Sequence, residues 1–286
     1  MNMENLIEAR GLCKQYPGFQ LKDIDLTVPS GSIVGLIGEN GAGKTTTIKA
    51  ILNILRPDRG TILLMGKNPG DPASRKQVAA VLEDSYFYGG LRTGQISRSM
   101  EGICPGWDAP LFKRYCERFG LDGKKPFKDF SRGMRMKLSL ATALARHPRL
   151  LVLDEPTSGL DPVVRGEVLD LFLEFIQDER CGILISTHIT TDLERIADQI
   201  AYLHGGRLLF QMDKDRLLED LAVLRCPGKV LDTLPGDLVV IRQAQRAGAA
   251  ALVREPERVR RLLPDAVLDR LTLDELMQFY SGKREG

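Results

Sequence analysis

Single-signed charge, long apolar runs, paired cysteines and histidines are all scarce in this chain of 286 residues, and each scarcity removes a class of function. Forty Lys and Arg against 38 Asp and Glu leave a net charge of +2. So balanced a chain gives no argument for nucleic acid or an anionic membrane surface as a partner. No apolar run approaches the roughly 18 residues of a membrane-spanning helix, so work at a membrane would go through a partner. The opening MNMENLIEARG is acidic and polar where a secretory signal would be basic and then apolar. Cys13, Cys104, Cys116, Cys181 and Cys226 stand singly without a C-x-x-C pair, which points to reduced thiols in a cytoplasmic protein. Three dispersed histidines argue against a multi-histidine metal site. What remains, 43% hydrophobic and 27% charged, is the composition of an ordinary soluble globular protein. Its length suits one large domain or a domain with an appendage.

Against that background one stretch is dense with chemistry. Gly38, Glu39, Asn40, Gly41, Ala42, Gly43, Lys44 and Thr45 have the form G-x-x-x-x-G-K-[ST]. The glycines let the backbone turn tightly and aim successive N–H groups at anionic oxygens. A helix-like run follows, whose unpaired first amides face the same anion. Lys44 adds a full positive charge at the outer phosphates, and the Thr45 hydroxyl suits Mg²⁺. The bland alternative is a glycine-rich turn that happens to precede Lys-Thr. The strand-like run 32–37 before it and the helical run 45–55 after it supply the context a phosphate loop needs.

The rest of the chain reads as α/β. Residues 6–9 and 21–28 read as strands, the second alternating as a half-exposed antiparallel strand does. Residues 33–37, 150–153 and 182–186 are continuous apolar runs, predicted as buried parallel strands. Further strands are predicted at 61–65 and 78–82, helices at 162–178 and 190–197, and a hairpin about Gly205-Gly206. Alternating strands and helices imply a parallel sheet covered on both faces. Residues 85–147 show helical patterns and no clear strand, as a helical insertion would; its last helix, 133–146, carries Met134, Leu138, Ala141 and Ala145 on one stripe. Beyond about residue 221 proline and charged turns multiply, with strands predicted at 238–241 and 250–253 and a helix at 274–280. The reading is a phosphate-loop core with a parallel sheet, an antiparallel β subdomain, a helical insertion and a small C-terminal α+β appendage. The division is 1–220, with the helical subdomain at about 85–147, and 221–286.

At the end of the apolar run 150–153 stand Asp154 and Glu155. Ligands of open α/β sheets bind at that strand edge. An acid there can hold Mg²⁺ directly or through water, and the next can orient or deprotonate an attacking water. Alternatively the pair caps the following turn.

Phe130-Ser131-Arg132-Gly133-Met134 lies just upstream, and residues 153–162 read LDEPTSGLDP. Together with the phosphate loop these resemble the nucleotide-binding subunit of ATP-binding cassette (ABC) transporters, over roughly residues 3–220. The resemblance implies an ATPase that takes ATP and Mg²⁺. It makes 38–45 the Walker A loop with Thr46 beside it, Asp154 the Walker B aspartate and Glu155 the catalytic base. Ser158-Gly159-Leu160-Asp161 matches the loop that communicates across a dimer, His188 the switch histidine at the γ-phosphate, and Tyr16 the aromatic on which adenine stacks. His147 and His204 lack such context and are left structural.

Ser131 and Gly133 begin a helix and offer a hydroxyl and amides to an anion, although the chain already holds one phosphate site. The family resolves this by head-to-tail pairing, each signature closing over the other copy's ATP. The implied partners are a second nucleotide-binding subunit, identical or not, and an integral-membrane permease, with the chain cytoplasmic and peripheral on the inner face of the membrane. Two departures stand out. The usual Leu-Ser-Gly-Gly-Gln is here Phe130-Ser131-Arg132-Gly133-Met134, and a glutamine expected at the start of the helical insertion is Glu83, a carboxylate able to reach Mg²⁺. Glu83, the altered signature and the appendage together resemble bacterial exporter-type subunits. Rivals are a soluble cassette ATPase without a permease, a phosphate-loop kinase, and a module that binds ATP without hydrolysis.

Overall fold

The computed structural model describes residues 4–82, 87–245 and 248–282. Its strands are β1 (Asn5–Tyr16), β2 (Phe19–Pro29), β3 (Ile33–Ile37), β4 (Arg59–Leu64), β5 (Val78–Val81), β6 (Leu150–Asp154), β7 (Gly182–Ser186), β8 (Gln199–His204), β9 (Arg207–Asp213), β10 (Leu221–Cys226), β11 (Val239–Gln245), β12 (Gly248–Arg254) and β13 (Val267–Arg270). The central sheet has the order β5-β6-β7-β3-β8-β9, parallel up to β8, with β9 returning antiparallel as the predicted hairpin. Every residue of β3, β6 and β7 is buried, as strands covered on both faces require.

A second sheet, β2-β1-β4, is antiparallel. Leu21, Ile24, Leu26 and Val28 of β2 pack in one cluster with Val34, Leu36, Val152 and Leu184 of the central sheet. The sequence shortened β1 to 6–9 because register shifts after Ala9 and Leu12 interrupt its alternation; the strand runs on to Tyr16.

Between β5 and β6 lie the helices Thr93–Ile103, Ala109–Arg118 and Arg132–Leu144, with no strand among the described residues. Ile96, Phe112, Phe127, Phe130 and Leu138 give this insertion a core of its own. The predicted stripe packs inward: Leu138, Ala141 and Ala145 are buried and Met134 lies against them.

The C-terminal residues form an antiparallel sheet, β11-β12-β10-β13, beside a helix Leu273–Ser281 that starts in a Thr272/Glu275 capping box. Two strands here were not anticipated. β10 follows the helix Lys214–Asp220 with no turn residue between, and β13 has four residues, none fully buried. Val223, Ile241, Leu252, Leu273 and Phe279 share one buried cluster with Ile33, Leu151, Phe172 and Ile185 of the main core.

Candidate functional site

The carboxyl ends of β3 and β6 carry the two chemistry-bearing motifs to one edge of the central sheet. The loop after β3 leads into the helix Lys44–Ile51. Gly43 occupies its N-cap position without a side-chain cap, so the first amides are left to a ligand. Lys44 is 7% exposed. Its Nζ donates to Gly38 O at 2.7 Å and Glu39 O at 3.3 Å. Burial holds the Lys44 ammonium below its ordinary 10.5, against the opposing pull of Glu155, Asp154 and Glu39.

Asp154 ends β6, 3% exposed, and both its oxygens are engaged. Oδ2 accepts from Thr45 Oγ1 at 2.8 Å and Oδ1 accepts from Ser186 Oγ. Glu155 follows in a left-handed backbone conformation, φ 52°, its N–H donating to Ser186 O at 3.0 Å. A non-glycine residue held there stores about 1–2 kcal/mol, a cost met with at functional turns. Glu155 Oε2 lies 2.8 Å from His188 Nδ1, so the expected acid and the expected switch histidine are in direct contact.

Glu39, Asn40, Gly41, Gly43, Lys44, Thr45, Thr46 and Glu155 line one cleft of about 580 Å³. Ala42 is buried within the loop. Tyr16 is 37% exposed at the end of β1, its ring 5.8 Å from Lys14 Nζ. The aromatic that lines the cleft is Phe19, beside Gly18. The Pro17-Gly18-Phe19 turn that follows Tyr16 was the available signal.

Ser131 and Gly133 are not among the residues lining this cleft. Ser131 caps the helix Arg132–Leu144, its Oγ accepting from Met134 N at 3.3 Å. The Arg132 guanidinium lies over Gly159: a Cβ there would stand 2.6 Å from Arg132 Nη1. Asp161 caps the helix Pro162–Phe175, accepting from Val163 N and Val164 N at 3.1 Å. Glu83 lies outside the described residues.

His204, read as structural, places Nδ1 3.0 Å from Glu39 Oε1 of the phosphate loop, whereas His147 meets Asp108 Oδ2 at 3.0 Å. The β8–β9 turn braces the loop as well. Gly206 N donates to Ala42 O at 3.2 Å, and Gly206 O accepts from Lys22 N at 2.8 Å.

A phosphate loop after one buried strand and a buried carboxylate at the end of another define a phosphate-loop nucleoside triphosphatase. The family model described as ABC transporter matches residues 21–158. The chain is 35% identical to the ABC transporter ATP-binding protein YtrB of Bacillus subtilis (strain 168), over 75% of this chain and 74% of that one. It is 34% identical to the bacitracin transport ATP-binding protein BcrA of Enterococcus faecalis, over 76% and 72%. The lantibiotic transport ATP-binding protein SrtF of Streptococcus pyogenes is 31% identical over 68% and 85%. Among solved structures, an ATP-binding subunit of an ABC transporter superposes with a TM-score of 0.67 at 31% identity, covering 75% of this chain and 92% of that one. This chain belongs to the ABC transporter ATP-binding family. It binds and hydrolyses ATP, and the hydrolysis powers transport.

Proposed function

We propose that the cleft on this chain is half of a composite site, completed by Ser131 and Gly133 of a second nucleotide-binding subunit. The observation that carries the reading is the division of the phosphate-binding groups. Residues 39–41 and 43–46 line the cleft, while another helix start, this one capped by Ser131, stands outside it. ATP then holds two subunits together and hydrolysis parts them, a cycle driven by differential affinity.

Within one site, Lys44 and the loop amides bind the phosphates, Glu155 orients or deprotonates the attacking water, and His188 contacts the γ-phosphate. With Nδ1 turned to Glu155, His188 has Nε2 left for phosphate. Mg²⁺ fits the donors present. Thr45 Oγ1 and Asp154 Oδ2, 2.8 Å apart, are hard oxygen ligands, and the ion takes one or two carboxylates with substrate phosphates. Bound there, it would neutralise phosphate charge. The adenine-stacking role stays with Tyr16, with Phe19 at the cleft wall.

The membrane partner is a separate permease. Among the described residues no helix is long and apolar enough to cross a membrane. A groove of about 290 Å³ between β5 and the helical insertion, lined by Val81, Leu82, Phe87 and Met100, offers a seat for a helix of that permease. The relatives named for bacitracin and lantibiotic transport support export of a substrate of that kind. Recovery of the tagged chain from gently solubilised native membranes should bring a multi-span protein with it. Recovery alone would favour an ATPase working without a permease.

A further inference from the structure

Asp192 is 1% exposed and uses both oxygens of its carboxylate. Oδ2 accepts from Thr157 Oγ1 at 2.6 Å, and Oδ1 accepts from Arg165 Nε at 2.5 Å. Arg165 Nη2 continues to Thr191 Oγ1 at 2.7 Å. Thr157 comes two positions after Glu155, and Arg165 sits in the first turn of the helix Pro162–Phe175. The loop 158–161 is therefore fastened at both ends to one buried carboxylate.

Asp192 itself belongs to the helix Thr190–Ile196, four positions after His188. Since His188 meets Glu155 at 2.8 Å, the contacts close a ring from Glu155 through Thr157, Asp192 and His188 back to Glu155. Burying a carboxylate is costly unless its oxygens are paired. Here each oxygen is paired with a different side of the hydrolytic loop.

We propose that Asp192 is a positioning residue for ATP hydrolysis. It fixes the separation of Glu155 and His188 and ties that separation to the loop 158–161. It acts through Thr157 and through the helix that follows His188. The inference rests on Glu155 and His188 as the hydrolytic pair.

Steady-state hydrolysis by Thr157→Val and Asp192→Asn, beside wild type and Glu155→Gln, tests it. Thr157→Val removes one hydroxyl and leaves the Asp192–Arg165 pair, so it reports even where Asp192→Asn fails to fold. Each substitution should lower kcat about tenfold or more with KM for ATP within about twofold, as loss of a charge-assisted hydrogen bond felt in the transition state would. The double variant should be no slower than Asp192→Asn alone, because both remove one link. A lowered melting temperature with wild-type kcat, or a rise in KM that matches the loss, overturns the proposal. Inactive Glu155→Gln beside fully active Thr157→Val and Asp192→Asn sinks the positioning role alone. Active Glu155→Gln sinks the hydrolytic assignment beneath it.

Discussion

Thr45 and Asp154, 109 positions apart in the chain, are joined by a 2.8 Å hydrogen bond from the threonine hydroxyl to the carboxylate. β7 lies between β6, which ends in Asp154, and β3, which leads to the helix of Thr45, and the last residue of β7, Ser186, donates to the other oxygen of the same carboxylate. The ends of β6 and β7 and the helix after β3 thus converge on Asp154, and the phosphate loop is anchored to the carboxyl edge of the sheet.

Glu155 and Lys44 line the same cleft, and the proposed site gives them different steps. Glu155→Gln should cut turnover by about a hundredfold or more while leaving ATP bound. Under saturating ATP it should run as a dimer on sizing with light scattering; a monomer there contradicts the composite site. Lys44→Ala should instead weaken nucleotide binding, read by titration calorimetry.

Arg132 is one of the residues by which the signature departs from Leu-Ser-Gly-Gly-Gln, and its guanidinium lies against Gly159. We expect Arg132→Ala to reduce ATP-dependent dimerisation and turnover together, since in the proposed composite site it would remove a cation beside the other subunit's triphosphate. Unchanged sizing profiles and rates would remove any role for this arginine in closure.

Gly205 and Gly206 are adjacent, both at positive φ, yet their surroundings differ. A Cβ at Gly206 would stand 1.8 Å from Gln20 O, whereas at Gly205 no atom lies within 4 Å. Gly206→Ala should cost at least about 2 kcal/mol and lower the melting temperature by roughly 4–8 °C. Gly205→Ala should cost about 1 kcal/mol, the left-handed penalty alone. Because Gly206 N also donates to Ala42 O, the backbone shift that relieves the clash with Gln20 O should loosen the phosphate loop and raise KM for ATP, which Gly205→Ala should spare.

Cys116 is 6% exposed in the helical insertion, and burial pushes its thiol up from 9.0 to about 12. At pH 8 the native thiolate fraction is about one in ten thousand, so iodoacetamide should leave Cys116 untouched until denaturant is added. Mass spectrometry of native and unfolded samples checks this. The sign for stability follows from the raised value. The unfolded thiol loses its proton first, so this contribution is intact below pH 9 and declines as pH rises towards 12.

What the sequence made legible is what sits in dense local patterns. The apolar run of β3 leading into Gly38–Lys44, the run of β6 ending in Asp154 and Glu155, and the stripe of Leu138, Ala141 and Ala145 each hold their signal within a dozen residues. What escaped depends on distant partners. Asp192 looked like any acid in a short helix; its burial comes from Thr157 and Arg165. His204 gains meaning only because β8 ends beside Glu39, and Phe19 because the β1–β2 turn folds over the phosphate loop. β10 and β13 lacked turn residues or length to mark them, and pairing with each other and with β12 makes them strands.

Tyr202 of β8 is fully buried, and the ring that covers it, 5.1 Å away, is Tyr280. The strand beside the phosphate loop therefore meets a residue made 78 positions after it. During synthesis this apolar face stays open until the C-terminal helix Leu273–Ser281 leaves the ribosome. A nascent chain arrested shortly before that point should be a client for chaperones.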